Sequence, residues 1–150
     1  MPLFTGRFEY SVDDKGRLSI PSRLRDQIEK EGQEAAFIVT SIDPEYLSAF
    51  ATNEFQELIA SVRESTDPNT RVLMRRLASE AQTCSVDKQG RVMLPPELRA
   101  LAGIARDVTI LGVAKRIEIW DRARYAARLA ASTESGARLL SGLKVPADLV

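Results

Sequence analysis

Length, composition and charge exclude several classes of protein. The chain has 150 residues, 44% of them hydrophobic, which is typical of a folded globular protein and not of a disordered one. It has no histidine and one cysteine, Cys84, so no intrachain disulfide or cysteine-based metal cluster can form. Because the usual general base is missing, the composition predicts a protein that is not an enzyme and has no metal or cofactor. Basic and acidic residues number 21 each, so no net charge attracts the whole chain to a polyanion.

The distribution of apolar and charged residues predicts a cytoplasmic protein without a membrane segment. No apolar run approaches the roughly 20 residues that a helix needs to cross a bilayer. Arg7 and Glu9 interrupt the apolar residues near the amino terminus, which is unlike a signal peptide. Charge is also uneven: 9 basic and 13 acidic residues occur up to Arg75, against 12 and 8 after it.

An internal repeat organises the chain. Residues 11–25 (SVDDKGRLSIPSRLR) match residues 85–99 (SVDKQGRVMLPPELR) without a gap at an offset of 74. Eight of these fifteen positions are identical, where composition alone would give roughly one. The identical pairs are Ser11/Ser85, Val12/Val86, Asp13/Asp87, Gly16/Gly90, Arg17/Arg91, Pro21/Pro95, Leu24/Leu98 and Arg25/Arg99. Further along, at an offset of 70, Phe50 and Phe55 correspond to Trp120 and Tyr125.

The repeat predicts two copies of one small module with a connection between them. We expect the first module over residues 7–54, a helical linker over 55–82 and the second module over 83–126. Residues 127–150 are expected to be a C-terminal helix and, from about Ser132, a loosely held tail, because this stretch has few apolar residues.

Each module is predicted to begin with two strands. In the first, Phe8, Tyr10 and Val12 alternate with polar neighbours, as in a half-buried strand. The second strand contains Leu18 and Ile20, which follow the turn.

A D-x-x-G turn joins these two strands in both modules. Asp13 can accept hydrogen bonds from the backbone amides that follow it, and Gly16 can adopt a positive φ without a Cβ clash. Asp87 and Gly90 repeat this pair. The turns are therefore predicted to be the tips of β-hairpins.

Short helices and further strands complete each module. Pro21 and Pro95 lack an amide donor and suit the first turn of a helix, and Gly103 is expected to end the second of these helices. Asp121 is predicted to be the N-cap of the final helix. The remaining apolar strands are expected at residues 37–39, 46–50, 108–111 and 117–120.

A further helix is predicted in the linker, over residues 68–80. Asp67 and Pro68 would supply its N-cap and first position, with Val72 and Leu73 facing the core. Its arginines have helical spacing, which indicates a solvated face or, as the alternative, a subunit interface. These arginines are Arg71, Arg75 and Arg76.

The two modules are expected to fold together. A four-stranded module of about 45 residues buries too little apolar surface to be stable alone. A tandem copy can interleave its hairpins with those of the first, which would close a pseudo-twofold barrel and remove exposed strand edges. The predicted fold class is α+β and β-rich, with helices at the periphery of this barrel.

The doubled motif resembles the MraZ family. It consists of residues 13–17 (DDKGR) and 87–91 (DKQGR), each followed by an apolar residue and Pro21 or Pro95, together with Gly112 and the run RIEIWD at 116–121. Members of this family are tandem relatives of the SpoVT/AbrB-type swapped-hairpin DNA-binding domains. The resemblance covers about residues 4–130.

The resemblance implies a function as well as a fold. It implies a transcriptional regulator, usually a repressor, in the cytoplasm and associated with the nucleoid. Such a protein would bind short direct repeats of double-stranded DNA upstream of the division and cell-wall gene cluster. It would act as a ring-like homo-oligomer, an octamer or dodecamer, without a small-molecule substrate.

Arg17 and Arg91 are the main predicted DNA contacts. Each leaves the turn at the start of a strand, so a ribbon could present the guanidinium group to the major groove, where arginine pairs with guanine O6 and N7. Alternatively, ion pairs with Asp13 and Asp87 could only hold the turns. Both can be true, because a carboxylate can orient an arginine that still faces DNA.

Other basic residues near the turns are secondary candidates. Lys15 and Lys88 are expected to be exposed at the turns and could contact phosphates, and Arg7 on the first strand could add a groove or backbone contact. The arginines after the prolines could reach phosphates, but pairing with Asp26 and Glu97 is the favoured interpretation. These arginines are Arg23, Arg25 and Arg99.

Three further residues are assigned to the interior. Trp120 and Phe50 end apolar strands and are predicted core residues instead of platforms for stacked bases. Cys84 is predicted to be a buried small hydrophobic residue.

The sequence leaves two other classes of function open. The matching Asp13 and Asp87 invite comparison with an aspartic protease dyad, but Asp14 and Lys88 follow them and no D-T-G or D-S-G sequence is present. The second alternative is a protein-binding role, antitoxin-like or as a scaffold. Antitoxins of this kind usually have one module and a disordered tail, whereas most of this chain is duplication.

Overall fold

The computed structural model describes residues 2–30, 32 and 35–146. Over these ranges the chain forms eight strands and six helices of an α+β fold. In chain order they are β1 (Arg7–Ser11), β2 (Arg17–Ser19), α1 (Ser22–Glu29), β3 (Ala36–Asp43), β4 (Tyr46–Phe50), α2 (Thr52–Glu64), α3 (Thr70–Glu80), β5 (Gln82–Ser85), β6 (Arg91–Met93), α4 (Pro96–Leu101), β7 (Asp107–Val113), β8 (Arg116–Asp121), α5 (Arg122–Ala131) and α6 (Gly136–Ser141). Within this part of the chain, none of the helices is long and apolar enough to span a bilayer.

The strands of the two repeats pair with each other. A six-stranded antiparallel sheet has the order β1-β7-β8-β4-β3-β5, and β2 pairs with β6 in a separate two-stranded sheet. Each outer strand therefore lies against a strand of the other repeat, β1 against β7 and β5 against β3. The predicted α+β class is confirmed, but the expectation of a β-rich chain is wrong, because the helices contain more of the described residues than the strands do. In the described ranges the pairings leave the large sheet open, with β1 and β5 at its two ends.

The register of these pairings follows the repeat. In the small sheet Leu18 lies opposite Val92, its equivalent at an offset of 74. In the centre of the large sheet Ser48 lies opposite Glu118, its equivalent at an offset of 70. Each of these pairs thus joins the same position of the two copies.

The D-x-x-G turns differ from the predicted hairpin tips. The Asp13 amide donates to the Arg17 carbonyl oxygen at 2.9 Å, as at the end of a hairpin. Beyond that bond the two strands separate, because β1 pairs in the large sheet and β2 in the small one. The ribbon that the turns support is therefore the pair β2–β6, to which both repeats contribute one strand.

The core lies between the sheets and the short helices. Phe50 and Trp120 are each 5% exposed, which confirms their assignment to the core. The equivalence of the aromatic positions extends to their contacts: the rings of Phe50 and Phe55 are 5.8 Å apart, and those of Trp120 and Tyr125 are 5.3 Å apart. Cys84 is also buried, and burial raises the pKa of its thiol to about 11.

Most of the predicted helix boundaries are confirmed. Pro21 and Pro95 lie at the residue immediately before α1 and α4. Gly103 follows α4 with a φ of 65°, and Asp121 caps α5 by accepting a hydrogen bond from the Arg124 amide at 3.2 Å. In the tail, α6 is a short helix with no buried residue.

The linker helix was predicted with two errors. It begins at Thr70, and Asp67 accepts a hydrogen bond from the Asn69 amide at 2.7 Å in the preceding turn instead of capping the helix. Val72 is 64% exposed, and Leu73 is also exposed, whereas Leu77 is the buried residue of α3.

The position of α3 explains the exposure of Val72. The Leu77 carbonyl oxygen accepts a hydrogen bond from the Thr40 hydroxyl at 3.0 Å, so this side of the helix lies on β3. Val72 is five residues from Leu77, which places it about 140° around the helix. Its side chain consequently faces away from the sheet.

Removing the side chain that joins the two repeats in the small sheet should destabilise the protein strongly. Leu18 is fully buried opposite Val92. We expect Leu18→Ala to lower the free energy of unfolding by about 2–5 kcal/mol, because it removes buried methyl groups and leaves a cavity. Urea denaturation at one fixed protein concentration measures the change. Ser19→Ala, on the opposite face of the same strand, is the matched control and should change the free energy of unfolding by about 0.5 kcal/mol or less. Equal effects of the two substitutions would contradict the assignment of Leu18 to the buried face of β2.

Candidate nucleic-acid interface

Asp13 organises the first turn. Its Oδ1 accepts hydrogen bonds from the backbone amides of Lys15 and Arg17, both at 2.9 Å. Its Oδ2 accepts one from Arg17 Nε at 2.8 Å. Gly16 has a φ of 81°, a conformation that favours glycine. One carboxylate thus fixes both the backbone of the turn and the direction of the Arg17 side chain.

The second turn repeats this arrangement. Oδ1 of Asp87 accepts from the amides of Gln89 at 2.9 Å and Arg91 at 3.0 Å, and Oδ2 accepts from Arg91 Nε at 3.1 Å. Gly90 has a φ of 78°. The bonding pattern is the same although Lys15 is replaced by Gln89, because the backbone amide makes the contact.

These hydrogen bonds stabilise the ionised carboxylates. The pKa of Asp13 is lowered from 3.8 to about 2, and the hydrogen bond from the Arg17 backbone amide is the largest cause. Burial acts in the opposite direction, but the Arg17 side chain and the Lys15 amide add to the lowering and outweigh it. The pKa of Asp87 is lowered by the equivalent contacts, first by the Arg91 amide. Both turns therefore carry an ion pair over the whole physiological pH range.

The two arginines lie on one face of the β2–β6 pair. Arg17 is opposite Met93, and Arg91 is opposite Ser19. Alternate residues of a strand point to opposite faces, so these four side chains are turned away from the buried Leu18 and Val92. With a rise of ~3.4 Å per residue and strands ~5 Å apart, the Cα atoms of Arg17 and Arg91 are about 8 Å from each other.

Each ion pair uses only part of its guanidinium group. The hydrogen bonds of Arg17 and Arg91 to the aspartates come from Nε. Among the described residues, no hydrogen-bond acceptor is assigned to their Nη atoms. The side chains are 30% and 26% exposed, so part of each remains accessible to solvent. The ion pairs that were the alternative to DNA contact are present, and they leave room for a second partner.

Two arginines that the sequence assigned to pairing with nearby carboxylates instead support the turns. A Cβ at Gly90 would lie 2.8 Å from the guanidinium carbon of Arg25, and Arg25 Nε donates to the Ile20 carbonyl oxygen at 3.0 Å. Arg99 lies near Gly16 in the equivalent way and donates to the Ala105 carbonyl oxygen at 2.9 Å. Each α1 or α4 arginine thus packs on the turn of the other repeat. One indication of this shared role was present in the sequence, because arginine occupies the equivalent positions 25 and 99 in both repeats.

The structure brings only some of the secondary candidates near this face. Lys15 and Lys88 are exposed on the two turns, next to the arginines. Arg7 is separate: it lies 3.6 Å from Glu9 and its guanidinium carbon is 5.2 Å from the centre of the Tyr125 ring. It is four residues from the turn end of β1, which corresponds to about 13 Å along the strand.

Comparison with known protein families identifies the family of this chain. The model of the MraZ protein family, described as antitoxin-like, matches residues 3–76 and again residues 77–138. The chain belongs to the MraZ family. The boundary between the two matches lies in the linker region, as the duplication predicts. Together the matches include both turns and both Arg17 and Arg91.

Named MraZ relatives are similar over almost the whole chain. A protein of Thermomicrobium roseum is 37% identical over 94% of this chain and 99% of its own length. One of Acetivibrio thermocellus is 38% identical over 82% and 84%, and one of Treponema pallidum is 35% identical over 97% and 95%. All three are named transcriptional regulator MraZ.

The acidity of Asp13 provides a test of the turn geometry in this MraZ protein. Because the folded-state pKa is lowered, the turn gains stability above pH 3.8 that is lost as the pH falls through about 2. An NMR titration of the side-chain carboxyl carbon should give a midpoint near 2. In Arg17→Ala the midpoint should rise only part of the way, because the largest contribution comes from the backbone amide, which remains. A return to the ordinary value would contradict this geometry.

Proposed function

We propose that this protein is a transcriptional regulator that binds duplex DNA with the outward face of the β2–β6 pair. The observation that carries the proposal is the placement of Arg17 and Arg91 on one face, each oriented by its own aspartate. The names of the MraZ relatives support the same class of function.

The dimensions of this face suit the major groove. The groove is about 12 Å wide and admits a two-stranded β-ribbon. Arginine can donate two hydrogen bonds to guanine O6 and N7, and the ion pairs hold the side chains in place before DNA is bound, which reduces the loss of side-chain entropy. Lys15 and Lys88 would lie against the phosphates on either side of the ribbon.

Assembly compensates for the absence of net positive charge. The chain has a formal charge of zero, so a single subunit gains little from general attraction to DNA. A ring-like homo-oligomer, an octamer or dodecamer, presents several identical ribbons to short direct repeats, and binding one repeat raises the effective concentration at the next. In the proposed assembly each chain forms the swapped-hairpin barrel of its family.

The proposed operator consists of short direct repeats upstream of the division and cell-wall gene cluster. Occupation of these repeats would exclude polymerase from the promoter, so the protein acts as a repressor. It works in the cytoplasm and is associated with the nucleoid. A role in binding another protein gives no reason for two partly exposed arginines, each oriented by its own aspartate, on one face of the ribbon.

The first test uses DNA from upstream of the protein's own gene. We expect gel retardation of fragments that carry direct repeats, with an apparent affinity that rises steeply from one repeat to several. Affinity should also fall as salt rises, because phosphate contacts release counterions. Fragments with the same composition but scrambled repeats are the control. Binding that ignores both sequence and salt would favour the scaffold.

The second test removes the two arginines. Each bidentate arginine–guanine pair contributes about 1–3 kcal/mol of discrimination, so Arg17→Ala with Arg91→Ala should weaken specific binding by about 30-fold or more. Binding constants from fluorescence anisotropy measure the effect. Arg138→Ala with Lys144→Ala, which removes the same charge from the exposed C-terminal segment, is the matched control and should leave specificity unchanged.

Two further measurements separate recognition from folding. Circular dichroism and particle size should be unchanged in the double variant, because the backbone bonds to Asp13 and Asp87 remain; loss of fold would assign the arginines a structural role only. Arg17→Lys with Arg91→Lys keeps the charge but not the planar fork. It should retain salt-dependent binding and lose discrimination between operator and scrambled DNA.

A further inference from the structure

Met93 is an exposed apolar side chain on the face that carries the two arginines. It is 54% exposed and lies opposite Arg17 in the β2–β6 pair. A single exposed hydrophobic residue is ordinary on a protein surface. This one, however, is the only large hydrophobic side chain that a strand exposes in the described ranges, and the rest of its face consists of Arg17, Ser19 and Arg91.

The hydrogen bonding of the ribbon places Met93 close to Arg17. The Leu94 amide donates to the Gly16 carbonyl oxygen at 2.9 Å, so the adjacent pair, Arg17 and Met93, is a non-hydrogen-bonded pair. In such a pair the Cα atoms are about 4.5 Å apart and the side chains are closer than in the alternating pairs. The ribbon therefore presents a planar cation and an apolar group side by side.

The equivalent position of the first repeat carries a different residue. Ser19 corresponds to Met93 at an offset of 74, and it lies opposite Arg91. The two arginines occupy equivalent positions, so by themselves they would make the two ends of the ribbon alike. Ser19 and Met93 remove this equivalence, because one arginine has an apolar neighbour and the other has a small polar one.

The Met93 side chain also extends over the first turn. A Cβ at Gly16 would lie 3.4 Å from Met93 Sδ. At the second turn, the nearest atoms to a Cβ at Gly90 all belong to Arg25. The apolar extension is thus confined to the end of the ribbon at the first turn.

An apolar side chain beside an arginine matches one feature of the major groove. Guanine offers O6 and N7 to arginine, and thymine offers its C5-methyl group to apolar side chains. Successive base pairs are about 3.4 Å apart along the duplex, which is close to the ~4.5 Å between the Cα atoms of Arg17 and Met93. A thymine next to a guanine that Arg17 contacts would therefore be within reach of Met93. Serine can hydrogen-bond to several bases, so Ser19 gives no such preference.

We propose that Met93 contacts the C5-methyl group of a thymine next to the guanine that Arg17 contacts, and that the difference between Met93 and Ser19 sets the direction of the ribbon on each repeat. This inference rests on the proposed function and adds the base and the direction that the ribbon recognises. A ribbon with two equivalent ends would bind a repeat equally well in either orientation, whereas direct repeats require a ribbon whose ends differ.

Replacement of thymine by deoxyuridine tests the methyl contact without a change in the protein. Deoxyuridine pairs as thymidine does and lacks only the methyl group. The probe is the repeat-bearing fragment from upstream of the protein's own gene, with the same thymine replaced in every repeat, one position at a time. At one position the affinity of the wild-type protein in fluorescence anisotropy should fall by about fourfold or more, as expected for the loss of one buried methyl group. No effect at any position would overturn the proposal.

Met93→Ser shows whether Met93 makes this contact. The variant should bind the unmodified fragment about fourfold less tightly or weaker, and it should no longer respond to deoxyuridine at the sensitive position. Met93→Leu keeps an apolar side chain and should keep the response. Leu139→Ser, at a position 57% exposed on α6, is the matched control and should behave as the wild type. A folded Met93→Ser variant that still responds would assign the methyl group to another side chain and overturn the proposal; circular dichroism checks the fold.

Exchange of the two residues tests the direction. Ser19→Met with Met93→Ser moves the apolar side chain next to Arg91. The wild-type protein should prefer the natural fragment to one in which each repeat is inverted in place. The exchange should reduce this preference by about tenfold or more, because it removes the methyl contact in one orientation and creates it in the other. An exchanged variant with the wild-type preference would show that other residues set the direction.

These measurements distinguish failure of this contact from failure of the proposed function. A wild-type protein that binds the repeats specifically but responds to none of their thymine methyl groups would refute the contact and leave recognition by Arg17 and Arg91 in place. A wild-type protein that binds the repeat-bearing and the scrambled fragments equally would refute the proposed function, and the Met93 contact with it.

Discussion

The pairing of β2 with β6 is the interaction on which the candidate interface depends. Leu18 and Val92 bury the inner side of this pair, and the Ile20 and Leu94 amides donate to the carbonyl oxygens of Gly90 and Gly16, both at 2.9 Å. Each strand comes from a different repeat, so neither repeat can form the arginine-bearing face by itself. The large sheet is built in the same way, because each of its outer strands is paired with the other half of the chain.

The aspartates then determine what this pair presents. An arginine at a turn usually samples many rotamers, and binding must restrict them. Here Asp13 and Asp87 hold the two side chains through Nε, and in the proposed function this restricts each arginine before DNA is bound. In the proposed function, the ion pairs that hold the two turns also orient the arginines toward DNA.

The sequence predicted what is local and repeated. The Asp13 and Asp87 turns, the apolar strands and the Asp121 cap could be predicted because each depends on neighbouring residues and most occur twice. Interleaving of the two repeats was expected, because one module is too small to be stable alone. The individual strand pairs could not be read from the sequence, because exchange between repeats satisfies the same alternation as a simple hairpin. The start of α3 was predicted too early because the Asp67-Pro68 pair suits a turn as well as the start of a helix. Val72 was wrongly placed toward the core because periodicity does not say which side of a helix packs on the sheet.

The packing of Arg25 on the Gly90 turn has an evolutionary consequence. A Cβ at Gly90 would lie 2.8 Å from the guanidinium carbon of Arg25, so a substitution in this copy requires the Arg25 side chain of the other copy to move. Although duplication normally frees one copy to change, here the Gly90 turn of one copy and Arg25 of the other constrain each other. The tip of the turn has no such restriction: Lys15 and Gln89 are both exposed there and differ between the two copies.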